Sequence, residues 1–433
     1  MKPIELAPKW LRLARLSLAL ATVAAPVCTV AQSQSQSHSA DSTRYTVVDL
    51  GPVGPSSSQG QPFTINAHGL VSGEAVVANP KHPSEWVSHA VLWDRTRTID
   101  IGVPGLGGPN SVAYGVDSWG LAVGQADTQT PDPHGEDFCG STAAGLTHSG
   151  NTCEPFVSAF GSMFSLPRLL NKAGKEGSNG VALQINDLGM IAGTAENGEE
   201  DSSCPGASVS PQSIQFKPVI WAIPYLWSWY RAQELPTIDG DPDGIASSIN
   251  GRGEAVGASG DCGPFNATEG NNLTPLHAIL WRDGKAIDLG NLGGDGRSFG
   301  IFASGLNDDG DVVGTSDTAG DASFHGFLWH DGHIADLGTV AGDAYSSAVA
   351  VGKHGLGLGV SLSANFAPRA ALWRDGVATD KNTLVPEDSP LYLESACSIN
   401  DKGEIIGFAY LKSNPNESHA FVAKPVEHSQ DEK

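Results

Sequence analysis

The stretch "HAILWRDGKAIDLGNLGG", residues 277–294, decides the fold because its parts return elsewhere in the same order. It is preceded by "INGRGEAVG" from Ile249 and followed by "LNDDGDVVG" from Leu306 and "HGFLWHDGHIADLG" from His325. The first phrase also appears from Ile65, Val116, Ile185, Val351 and Ile399, and the Asn66-type positions recur at intervals of 51, 69, 64, 57, 45 and 48 residues. A constant unit with loops of variable length is the signature of a repeat architecture.

The second phrase is "HAVLW" at His89, "SAF" at Ser158, "KPVIW" at Lys217, then His277, His325, "RAALW" at Arg369 and "HAFV" at His419. The third, "DLG" or a variant of it, stands at Asp49, Asp100, Asp288 and Asp336, with "SLPRLL", "ELPTI" and "ATDKN" in the other slots. Asn and Gly tolerate the left-handed backbone of tight turns, so "INDKGEIIG" reads as a strand, a turn and a strand, and "RDG" between apolar runs reads as a hairpin. Each unit therefore supplies four short antiparallel strands, A to D. Strands B and C are apolar at consecutive positions, which suits sheets covered on both faces. Seven such sheets packed face to face predict an all-β, seven-bladed β-propeller over residues 44–425. "YTVVDLG" from Tyr45 is a D strand without a preceding A, B or C, and "HAFV" is a C strand without a D. Pairing the two closes the ring and removes its open edges.

These phrases, HAF(L)W, DG, DLG, LGG and INxxGxVVG, resemble the HAF-repeat exported proteins of bacteria from Tyr45 to about Pro425. The resemblance implies secretion and a repeat fold, and brings no catalytic residues with it. Blades two and three depart from the pattern through long insertions.

The chain begins with Lys2, Lys9, Arg12 and Arg15 and an apolar run from Leu16 to Ala31, then turns polar. Residues 1–31 are expected to be a signal peptide, 32–43 a flexible linker and 426–433 a disordered tail. Removal of the leader takes the formal charge from −23 to −26. Such a field repels phosphate backbones and anionic lipid, so nucleic acid is not an expected partner, whereas cationic groups are. A secreted monomer that binds an extracellular or cell-envelope protein or carbohydrate through loops on one face is the leading expectation. A propeller enzyme acting on glycan or peptide is the alternative.

His89, His277, His325 and His419 share one repeat position spread round a ring, so they are expected to bond a neighbouring strand rather than a common metal. The Asp of "DLG" is expected to cap a turn. In "DGDPDG", Asp239, Asp241 and Asp243 have the alternate spacing of an Asp-x-Asp-x-Asp-Gly calcium loop, although Asn250 stands where the bidentate Glu would be. Insertions in the B-to-C loops carry Cys139, Cys153, Cys204 and Cys262, and disulfides 139–153 and 204–262 are expected. The C-to-D insertion of blade three holds Trp227, Trp229 and Tyr230, which could stack on a sugar or a partner. In the assumed strand order, D-to-A and B-to-C loops leave on one face, and A-to-B and C-to-D turns on the other.

Overall fold

In the computed structural model, residues 43–51, 61–79, 82, 84–94, 97–136, 139, 149–204, 212–223, 229–238, 240–262 and 273–426 are described. They form seven four-stranded antiparallel sheets arranged as a propeller. Blade 1 is Gln61–Ile65, Val71–Ala78, Trp86–Asp94 and Arg97–Asp100, in the order A, B, C, D. Blade 2 is Ser111–Val116, Ala122–Pro131, Asn151–Ala159 and Ser162–Ser165; blade 3 is Gly180–Ile185, Ile191–Glu200, Ile214–Ala222 and Arg231–Glu234. Blade 4 is Asp243–Ile249, Ala255–Cys262, Leu273–Arg282 and Lys285–Asp288; blade 5 is Ile301–Leu306, Val312–Asp317, Phe324–His330 and His333–Asp336. Blade 6 is Tyr345–Val351, Gly357–Leu362, Pro368–Arg374 and Val377–Asp380. Blade 7 combines Leu391–Ile399, Ile405–Leu411 and Asn414–Pro425 with the N-terminal strand Tyr45–Gly51. A strands of neighbouring blades touch one another round the ring, so A lines the axis and D the rim.

The glycine that closes each "VVG" phrase answers to one geometric demand. In all seven blades strand A shifts register beside it, as between Ala113 and Gly115 opposite Gly124, and between Ala303 and Gly305 opposite Gly314. A Cβ on Gly124, Gly193, Gly257 or Gly314 would lie 1.8, 2.0, 1.9 or 2.1 Å from a carbonyl oxygen of strand A. Only a residue without a side chain allows the bulged strand to come that close.

The recurrent asparagine serves two blades at once. Asn186 Oδ1 accepts the amides of Leu188 and Met190 in its own turn (3.1 and 2.9 Å), and its Nδ2 donates to the Asn250 carbonyl of the next blade (2.8 Å). Asn250 donates in turn to the Asn307 carbonyl (3.2 Å), Asn307 to Gly352 (2.9 Å), Asn400 to Asn66 (3.0 Å) and Asn66 to Asp117 (2.8 Å). Asp117 keeps the turn bonds to Trp119 and Leu121 but has no amide to donate. There Ser118 bridges to Asp187 instead, through its amide (2.8 Å) and its hydroxyl (2.9 Å). Lys353 and Asp401 (3.5 Å) span the joint after Gly352.

Ring closure follows the expected pairing, with Tyr45 opposite Pro425 and Asp49 opposite Phe421. His419 Nδ1 meets Asp49 at 2.7 Å, as His89 meets Asp100 at 2.8 Å and His325 meets Asp336 at 2.9 Å. Each of these aspartates also accepts an amide two residues on, from Gly51, Gly102 or Gly338. The histidines thus tie strand C to strand D, and the aspartates cap turns. Strand-C tryptophans pack inside the blades, and Trp221 and Trp281 donate to the carbonyls of Pro167 and Pro236 in the connection from the preceding blade (2.8 and 2.7 Å).

Asn186→Asp keeps the acceptor that caps the turn and loses the donor that reaches blade 4. It should lower stability by about 1–3 kcal/mol, the cost of one unpaired buried polar group, and Asn186→Ala should cost more. Urea unfolding of the three proteins checks this; equal midpoints for wild type and Asn186→Asp would dismiss the bridge as ornamental.

Candidate functional site

The strand order sends the D-to-A and B-to-C connections to the same face, the loop face, as expected. Two disulfides bind it together: Cys139–Cys153 within the blade 2 insertion (Cα–Cα 5.2 Å), and Cys204–Cys262 between the insertion of blade 3 and strand B of blade 4 (Cα–Cα 4.7 Å). The pairs are the expected ones and fit an oxidising compartment. The remaining described cysteine, Cys397 on an inner strand, is free, and burial pushes its thiol up to about 12. No helix among the described residues is long and apolar enough to cross a membrane. The leader, linker residues 32–42 and residues 427–433 lie outside the described residues, as do Asp239 and Trp227.

Under the loops lies a layer of buried acids that reading the motifs one at a time missed. The third residue after the bulge glycine is Asp127 in blade 2, Glu196 in blade 3 and Asp317 in blade 5. All three are buried. Asn110 donates to Asp127 (2.9 Å) and takes the amide of Ser88 from blade 1 (3.1 Å). Asn179 does the same in the next blade, donating to Glu196 (3.0 Å) and accepting from Cys153 (2.9 Å). These asparagines repeat, on the loop face, the two-blade bridge of the turns opposite.

Asp243 occupies the asparagine position in blade 4. Its Oδ1 accepts the Phe216 amide from blade 3 (3.0 Å), while its buried Oδ2 stands where an asparagine has its nitrogen. Burial, and then the hydrogen bond to and charge of Asp201, push its carboxyl up to about 9. It therefore holds a proton at neutral pH. Asp241 faces elsewhere: its Oδ2 takes the Ser259 hydroxyl and His277 Nδ1 (2.8 Å). Asp343 repeats this role in blade 6 with Arg369 (3.0 Å). Asp241 and Asp243 thus have separate partners. Sulfurs of Cys204 and Cys262 approach Asp201 but are joined to each other.

Trp229 and Tyr230, the described residues at the end of the aromatic insertion, lie on the opposite face. Tyr230 is buried, and its hydroxyl is pushed up to about 12 by burial and the Asp117 charge. Trp229 is 52% exposed and meets Phe164 and Tyr230 edge to face, at 6.0 and 5.6 Å. Of these two, Trp229 alone remains open to a partner.

No protein-family model and no curated protein matches the sequence. Among solved structures, the chain is similar to the β-propeller domain of the trilobed protease from Pyrococcus furiosus at 10% identity and a TM-score of 0.47, covering 90% of this chain and 100% of that one. It is also similar to an acylaminoacyl peptidase from Pyrococcus horikoshii at 10% identity and a TM-score of 0.47, covering 86% of this chain. This chain spans about half, 52%, of that peptidase. A gluconolactonase from Xanthomonas campestris, at 11% identity and a TM-score of 0.35, is covered over 96% of its length and 89% of this chain. At these values the likeness carries no inference about chemistry.

Between the unfolded value near 3.8 and the folded value near 9, Asp243 binds a proton in the folded state that the unfolded chain releases. Its contribution to stability is fully present below the unfolded value and falls as pH rises through that window. Glu74, raised by burial to about 7, adds to the fall from 4.5 upward. Asp243→Asn should be more stable than wild type at pH 8 and show a shallower decline from pH 5 to 9 in urea midpoints. A less stable variant with the wild-type slope would refute the proton on Asp243.

Proposed function

We propose that this chain is a secreted, non-enzymatic propeller related to the HAF-repeat exported proteins, and that its loop face binds a basic extracellular or cell-envelope partner. The observation that carries this reading is the pair of disulfides, Cys139–Cys153 and Cys204–Cys262, that tie described residues of blades 2, 3 and 4 on one face. A fixed loop loses less conformational entropy when it binds. Charge adds direction: Glu199, Glu200 and Asp261 stand at the outer ends of strands on this face and are wholly or partly exposed. Among the described residues, the inner strands carry two carboxylates, the buried Asp243 and the half-buried Glu394.

Retention on immobilised oligolysine at physiological salt tests this. The Glu199→Lys, Glu200→Lys variant should elute well before wild type, and Asp309→Lys on the opposite face should elute with it. Equal loss in both variants would oppose the reading. So would release of reducing sugar from envelope glycan, or of peptides from casein, that Glu394→Gln abolishes; such turnover would establish the enzyme alternative.

A further inference from the structure

We propose that Asp295, Asp317 and Asp321 hold a divalent cation of the calcium type on the loop face of blade 5. One carboxylate oxygen of each lies within 4.8 Å of the others, a set of hard donors suited to such an ion. Asp317 is fully buried and its Oδ1 has no hydrogen-bond partner. A buried carboxylate oxygen in that state is costly unless a proton or a cation compensates it.

Other blades serve as internal controls. Asp317 is the counterpart of Asp127 and Glu196, to each of which an asparagine, Asn110 or Asn179, donates one hydrogen bond. Matching Ala303 opposite Gly314 to Ala113 opposite Gly124 and Ala182 opposite Gly193 places Gly300 at that asparagine position, and Gly300 has no side chain to donate.

Asp295 is likewise the counterpart of Asp241 and Asp343. These stand three residues after Ile238 and Val340, whose amides donate to Ser259 and Ser361 (3.3 and 3.0 Å), and Asp295 stands three after Leu292, whose amide donates to Ser316 (3.0 Å). Strand pairing sets His277 opposite Ser259, Arg369 opposite Ser361 and His325 opposite Ser316. His277 and Arg369 meet Asp241 and Asp343, whereas His325 bonds Asp336. Two acids that elsewhere have a donor or a base therefore face each other in blade 5, and the B-to-C turn adds Asp321 as a third.

The surrounding backbone is built around them. The Ser298 amide donates to Asp317 Oδ2 (3.2 Å), the Asp295 amide to Asp321 Oδ1 (2.8 Å) and the Arg297 amide to Asp295 Oδ1 (2.9 Å). A Cβ on Gly294 would stand 2.3 Å from the Asp317 Cβ and 2.7 Å from Asp321 Oδ1, so the loop lies directly against both acids. Arg297 does not neutralise them; it pairs with Asp261 at 4.0 Å.

Calorimetric titration of the chelator-treated full chain with calcium chloride, with thermal unfolding in parallel, is the test. One ion per chain and an upward shift of several degrees at 1 mM calcium are expected. Asp317→Asn should weaken binding at least tenfold and melt higher than the ion-free wild type, since it restores an amide donor. Asp295→Ser, at an exposed position, should weaken binding without that gain in melting temperature. Asp241→Asn should bind as wild type does. The proposal fails if wild type takes up no calcium at 1 mM. It also fails if Asp241→Asn abolishes uptake while Asp317→Asn and Asp295→Ser retain it, which would place the ion in "DGDPDG".

Discussion

The carboxamide of the turn asparagine has acceptor and donor sites, and in this ring it divides them between two blades. Its oxygen fixes the turn between strands A and B of its own blade, and its nitrogen holds a carbonyl of the next, as from Asn186 to Asn250 to Asn307 to Gly352. Asn110 and Asn179 also serve two blades on the other face, with the roles reversed: the nitrogen bonds an acid of their own blade and the oxygen accepts an amide of the preceding one. Apolar packing between blades has little direction and leaves register open, whereas these bonds fix where each blade sits on its neighbour.

A blade with both faces apolar needs a neighbour on each side, so an open array would expose two of them. The N-terminal strand removes that exposure by becoming the fourth strand of blade 7. The same His–Asp contact that joins strands C and D within blade 1 joins the two ends of the chain at His419 and Asp49. A local repeat interaction thereby becomes the closure.

The fold was legible because its determinants recur: Asn at the turn, Gly at the bulge, His and Asp across strands C and D. The disulfides were legible because Cys139 and Cys153 share one insertion, whereas Cys204 and Cys262 belong to neighbouring insertions that emerge side by side. The buried acids were not, because each answers to a partner in a D-to-A loop whose length changes from blade to blade. "DGDPDG" illustrates this. Its alternate aspartates look like one ligand set, but Asp241 performs the task of Asp343 and Asp243 that of Asn110, on strands that meet only in three dimensions. The acids of blade 5 carry a signal in "VVGTSD" and "LGGDG", but only once "AVGQAD" and "IAGTAE" are set beside them at the same repeat position. Tyr230 presents the opposite case: an aromatic in an insertion reads as surface, yet it is buried in the core cluster that holds Val123, Val157 and Val219.

Native-state hydrogen exchange on a chain lacking residues 45–51 tests most directly whether the ring holds its blades as one cooperative unit. If closure and the blade-to-blade bonds act together, protection should fall throughout, including in strands Ala255–Cys262 and Val312–Asp317 far from the cut in the chain order of blades. Loss confined to blade 7 and its two neighbours, with full protection in blades 4 and 5, would contradict the account and describe seven sheets that stand largely on their own.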